Sequence, residues 1–172
     1  MLLSIQQKEI EDWVWHLKYV RKQQLYEIIS RSNPVPIHIF NAMVSQLVRI
    51  HLEIRCQGDI IMWDKREINP DFLAAIDIMI SVAGENPIRM KKEKCTDALL
   101  RFYVEIEEKY RPFSVAYYDE TVASFMDVKY TERVIFLMPD NQIPTQSNLP
   151  FRHFFAVKQD DGAYQFFSPS DE

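Results

Sequence analysis

The sequence predicts an α+β protein in two parts, and three observations predict it. Apolar side chains recur with helical period through residues 36–50. Two short strand-like runs follow at once, joined through Gly58-Asp59. From Leu99 onward the period changes to that of strands, interrupted by a single helical stretch. Helices followed by a hairpin over residues 1–68, then a small α/β domain over residues 69–172 with a mixed or antiparallel sheet, is the simplest architecture that satisfies all three.

Each element has a local reason. Ser4 is a good cap for a first helix running to about Leu17, with Ile10, Trp13, Val14 and Leu17 on one face and Trp15 well off it. Lys18-Tyr19-Val20 reads as a short extended connection. A second helix is expected from Arg21 to about Ser30, with Leu25, Ile28 and Ile29 pointing one way and Gln23, Gln24 and Glu27 another. Ser32-Asn33-Pro34-Val35 makes a turn, and Pro36 suits the first turn of a third helix because its missing N–H has no partner there. At 100° per residue, Ile37, Phe40, Met43, Val44, Leu47, Val48 and Ile50 share one face of that helix. His38, Asn41, Ser45 and Arg49 share the opposite face, with Gln46 at its edge. Residues 54–57 and 60–63 form a hairpin across Gly58-Asp59. Two short helices, a tight turn, a third helix and a hairpin are the parts of a winged helix-turn-helix.

A charged hinge at residues 64–67 leads to Asn69-Pro70, a helix start. The helix expected over residues 71–83 is apolar nearly all round, apart from Asp71, Asp77 and Ser81, and so needs cover on most sides. Gly84-Glu85-Asn86-Pro87 ends it, and Lys91-Lys92-Glu93-Lys94 reads as solvated surface. Residues 100–106 and 113–118 are expected to pair antiparallel across the polar stretch 107–110. A helix is expected over 120–128, and the continuous apolar run 134–138 belongs in the middle of the sheet. Residues 154–158 and 164–167 pair across Gln159-Asp160-Asp161-Gly162.

Composition narrows the functional classes. With 47% hydrophobic and 26% charged residues, the 172-residue chain is that of a folded protein rather than a disordered one. Its longest apolar run, residues 72–83, is too short to cross a bilayer, and Lys8, Glu9, Glu11 and Asp12 leave no room for a signal-peptide core, so a cytoplasmic protein is expected. Cys56 and Cys95 lack metal spacing and are expected to be free thiols. His16, His38, His51 and His153 show no ligand pattern, so neither metal nor cofactor is expected. Three glycines cannot build a phosphate-cradling loop. Charge divides unevenly. Residues 1–68 carry 9 Lys and Arg against 8 Asp and Glu, and the remainder 11 against 17.

The stretches KYVRKQQLYEII and PIHIFNAMVSQLVRIHLEIRCQGDIIMW, with RVIFLMPDNQIP and the closing FRHFFAVKQDDGAYQFFSP, resemble a family of small uncharacterised proteins encoded on conjugative elements of Gram-positive bacteria, which look distantly like replication-relaxation proteins. The resemblance is one of pattern over most of the chain. It implies a winged helix joined to a small α/β domain, with DNA-related work in maintaining or regulating a mobile genetic element.

Candidate chemistry follows. His38, Asn41, Ser45 and Arg49 are residue types that read base edges in a major groove, with Arg21 and Lys22, and beside them Lys18 and Arg31, as phosphate contacts. The expected function is thus a non-enzymatic DNA-binding regulator or accessory factor. The alternative is a protein-interaction module in which the winged helix and the acidic C-terminal domain dock a protein partner, because an autonomous DNA binder is usually more basic than a chain of net charge −5. A third reading, a degenerate nuclease-like domain, rests on Pro139-Asp140 with Glu105, Asp119 and Glu120. No Glu-x-Lys follows Pro139-Asp140 on a strand, and Glu108-Lys109 falls in an expected turn. Trp15, off the buried face of the first helix, is a candidate anchor for a homodimer, the favoured reading, or for packing on the C-terminal domain.

Overall fold

The computed structural model describes residues 3–90, 97–139, 142–144 and 147–169. The chain is mixed α+β and forms two compact units, Met1–Asn69 and Pro70–Glu172.

In the first unit the order is α1 (Ile5–Leu17), β1 (Tyr19–Arg21), α2 (Lys22–Ser32), α3 (Ile37–Ile50), β2 (Ile54–Gln57) and β3 (Ile60–Trp63). Ser4 opens α1 with a reciprocal box: its Oγ accepts the Gln7 N–H at 3.2 Å, and Gln7 Oε1 accepts the Ser4 N–H at 3.0 Å. Ile10, Trp13, Val14 and Leu17 are buried along one stripe, as their spacing predicts. The supposed connection after α1 is instead a strand. β1 pairs antiparallel with β3, Tyr19 opposite Met62 and Arg21 opposite Ile60, in a three-stranded sheet of order β1-β3-β2. Three residues are too few to show alternation, and their partner lies some forty positions on.

α2 runs two residues past its expected end. It also buries Gln24, expected on the polar face, because Gln24 Oε1 accepts the Arg21 N–H at 3.0 Å and closes the first turn. α3 buries Phe40, Val44 and Leu47, but its apolar stripe is narrower than the wheel suggested. Ile37 is 45% and Ile50 41% exposed, since both sit at helix ends and on the margins of the stripe. The β2–β3 hairpin turns through Gly58 at φ 62°, the left-handed value that the first central position of a type II′ turn requires. Leu25, Ile28, Ile29, Phe40, Val44, Leu47, Ile54 and Ile61 are all buried, so helices and hairpin supply one interior between them.

The second unit contains α4 (Pro70–Ala83), β4 (Ile88–Met90), β5 (Leu100–Ile106), β6 (Lys109–Tyr117), α5 (Glu120–Ala123), β7 (Arg133–Leu137), β8 (His153–Lys158) and β9 (Tyr164–Phe167). Its sheet has the order β4-β5-β6-β7-β8-β9 and is mixed: β6, β7 and β8 run parallel, and the outer pairs run antiparallel. β7 is central and buried from Val134 to Leu137, as an uninterrupted apolar run demands. α4 covers the sheet at β5, β6 and β7, and of its residues only Pro70, at its start, and Ser81 are exposed. Val134, Phe136, Met138 and Phe155 form a core with Ala116, Ala123 and Met126.

Three expectations need correction here. β4, too short to show a pattern, adds an edge strand. The turn between β5 and β6 is two residues, not four: Glu107 and Glu108 both take positive φ, 52° and 60°, and β6 starts at Lys109. The helix expected over 120–128 is four residues long. The Ser124 hydroxyl bonds the Glu120 carbonyl at 2.9 Å, and the chain then turns to bury Met126 while leaving Phe125 84% exposed. Among the described residues no helix is long and apolar enough to cross a membrane.

Candidate nucleic-acid interface

α3 is held from behind. The Gln7 amide, buried in α1, donates to Gln46 Oε1 at 2.7 Å, and Glu11 faces His51 at 3.5 Å. The turn before the helix is pinned too: the Tyr26 hydroxyl donates to the Val35 carbonyl at 3.1 Å, and its ring meets Phe40 edge-on at 5.3 Å. Asn33 in the same turn donates to Glu9. A helix fixed on one side by α1 and α2 presents the other side rigidly.

On that side lie His38, Asn41, Ser45 and Arg49, all exposed. The side chains of His38, Asn41 and Arg49 make no hydrogen bond or ion pair among the described residues. Ser45 differs, because its hydroxyl donates to the Asn41 carbonyl at 2.9 Å and keeps only its oxygen lone pairs to offer. Ala42, which the sequence reading passed over, is exposed in the middle of the face, between His38 one turn before and Ser45 one turn after. The face also lacks opposing charge: no Asp or Glu occurs between Glu27 and Glu53, a span that includes all of α3. That signal was present in the sequence and is seen only when acidic residues are counted along the chain rather than by halves.

Arg21 and Lys22 lie elsewhere, on the corner from β1 into α2, beside the hairpin. Arg21 pairs with Ile60, the residue after the turn, and the Lys22 N–H donates to the Asp59 carbonyl at 2.8 Å. Cys56 is exposed on β2, yet partial burial pushes its thiol above its ordinary range; the Lys22 ammonium, whose backbone N–H binds the hairpin turn beside β2, acts against that shift. Arg55 on β2 is exposed as well. The other two basic candidates have local employment. The Lys18 Nζ rests 4.3 Å from the centre of the Trp15 ring, and burial, then Arg66, lower its pKa against the pull of Asp64. Burial likewise lowers that of Arg31, against Glu27. Trp15 is 48% exposed, with Lys18 over its ring and His16 against it edge-on, so the chain itself covers part of the proposed anchor.

The carboxylates of the nuclease-like reading have separate roles. Glu105 accepts the Tyr110 hydroxyl at 3.0 Å, and Asp119 caps α5 through the N–H groups of Thr121 and Val122 at 2.9 and 3.0 Å. Asp140, Cys95 and the run 91–94 lie outside the described residues. Glu132, which sequence inspection did not single out, is the buried acid among the described residues of this unit. It accepts from the Ser114 hydroxyl and faces Arg101 Nε at 3.1 Å, while Arg101 also binds Asp97 at 2.9 Å and the Asp127 carbonyl at 3.1 Å. This network ties the segment before β7 to β5 and β6. Among the described residues, no group of three or more His, Cys, Asp or Glu converges as metal ligands.

A cleft of about 790 Å³ lies at the start of β8, walled by Met126, Tyr130, Leu149, Phe151 and His153. His153 is 5% exposed and its Nδ1 lies 2.9 Å from the Phe151 carbonyl, which can only accept, so Nδ1 carries the proton. Nε2 is closed from solvent and has no partner among the described residues.

No family model matches the chain, and neither a curated protein nor a solved structure is found to match it.

Proposed function

We propose that the first unit is a winged helix that binds duplex DNA, with α3 in the major groove and the β2–β3 hairpin as its wing, and that the protein is a non-enzymatic regulator or accessory factor of a mobile genetic element. The observation that carries the reading is the outward face of α3. It is acid-free, it holds three hydrogen-bonding side chains that are unengaged among the described residues, and it belongs to a helix locked from behind. The succession helix, strand, two helices and hairpin supports the winged-helix assignment. Arg21 and Lys22 at the hairpin, with Arg49 at the end of α3, are the phosphate contacts of this reading. The link to a mobile element rests on the sequence resemblance alone.

The second reading, a protein-docking module, is favoured by apolar exposure around the same helix: Ile37, Ile39 and Ile50 are 41–45% exposed and Leu52 89%. Fluorescence anisotropy of the whole chain on generic duplex DNA, titrated over salt, separates the two. DNA binding gives a linear fall of log affinity with log salt, and Arg49→Ala lessens the slope by about 1. The mass of the complex reports whether two copies bind together, as the homodimer reading requires. Absence of salt-dependent binding hands the face to a protein partner.

A further inference from the structure

We propose that Asn41 and Ala42 are the specificity-determining pair of α3 and that they read A·T base pairs, Asn41 engaging adenine and Ala42 the thymine methyl group. The inference rests on the DNA-binding reading above. Four exposed polar side chains share the face, but they are not equivalent. The Ser45 hydroxyl proton is already given to the Asn41 carbonyl. Arg49 lies eight residues beyond Asn41, about 12 Å along the helix axis, in the last turn. Base edges are contacted mainly from the N-terminal part of such a helix, so Arg49 falls to the phosphates. Asn41 is the fifth residue of α3, and its amide offers an acceptor and two donors, the pattern that pairs with adenine N6 and N7.

Shape supports the same assignment. Ala42 and Ser45, the two short side chains, lie side by side in the middle of the exposed face, with the longer His38, Asn41 and Arg49 around them. Short side chains in the middle let the helix axis come close to the base edges. An exposed alanine methyl that approaches closely has one apolar counterpart in the major groove, the thymine C5-methyl group. Ile39, 43% exposed, extends the apolar margin on one flank.

The test uses the full chain. Duplexes are selected from a randomised pool at fixed salt, and the selected site is resynthesised with deoxyuridine for thymine or with 7-deazaadenine for adenine. A·T pairs are expected at the contacted positions. Loss of one contacted methyl should weaken binding about fourfold. Asn41→Ala should lower the preference for the selected site over a G·C-substituted one by about 5- to 150-fold while leaving the salt-dependent background. Unchanged tryptophan-monitored unfolding shows that this variant is folded. A G·C-rich selected site, no enrichment, or a preference indifferent to all three changes overturns the assignment while DNA binding stands. No salt-dependent binding to any duplex overturns the DNA reading itself.

Discussion

Leu47 tests whether α3 is held where its outward face requires. It is 1% exposed, on the inner side of the helix with Phe40 and Val44. Leu47→Ala removes three carbons, about 2.4 kcal/mol of transfer free energy at roughly 0.8 per carbon, and the residual cavity adds to it. The expected loss is about 2–5 kcal/mol. The assay comes from the distribution of tryptophan: Trp13, Trp15 and Trp63 all belong to the first unit, so emission excited at 295 nm follows that unit alone. For a unit of this size a loss of that order lowers the midpoint of thermal unfolding by about 10 °C or more. Ile50→Ala, at a helix end and 41% exposed, is the matched control and should cost less than about 1 kcal/mol. A Leu47→Ala transition within about 0.5 kcal/mol of wild type, or no lower than that of Ile50→Ala, refutes the packing argument.

Two further outcomes follow from local geometry. Glu107 and Glu108 both hold positive φ in a two-residue turn, a conformation that Asn-Gly adopts with less strain. Replacing them by Asn and Gly should raise the stability of the second unit by about 1 kcal/mol, since the exposed 3.8 Å pair of Arg111 with Glu107 is worth little. Thermal unfolding followed by far-ultraviolet circular dichroism checks this, and an unchanged or lower midpoint counts against it. At Cys56 the raised pKa leaves less thiolate at pH 8 than in a free cysteine, so alkylation in a Cys95→Ser chain should be slow and should accelerate only at higher pH. Lys22→Gln removes the opposing charge and should slow it further. An equal or faster rate would mean that Lys22 does not lie beside β2.

The amino-acid order alone determined whatever depends on near neighbours. Ser4 and Gln7, three apart, specify the start of α1 through a box closed within one turn. Phe40, Val44 and Leu47 set the inner face of α3 by helical period. Gly58 allows the positive φ on which the β2–β3 hairpin turns, and the unbroken run 134–138 gave the central strand. The outward set His38, Asn41, Ser45 and Arg49 was legible for the same reason, as the complement of a buried stripe. Tertiary structure decided what depends on residues far apart in the chain. Tyr19-Val20-Arg21 yields a strand because Met62, Ile61 and Ile60 are there to pair with it, and β4 is a strand because β5 offers an edge. The helix begun at Glu120 stops at Ala123, with Met126 in the core beside Phe136 and Phe155. The ends of α3 stay exposed because a core has finite width, which no wheel records. Glu132 and His153 look like ordinary polar residues in the sequence. Only the sheet, by bringing Arg101, Ser114 and three phenylalanine rings around them, turned one into a buried ion-pair partner and the other into a buried imidazole whose Nε2 has no partner among the described residues.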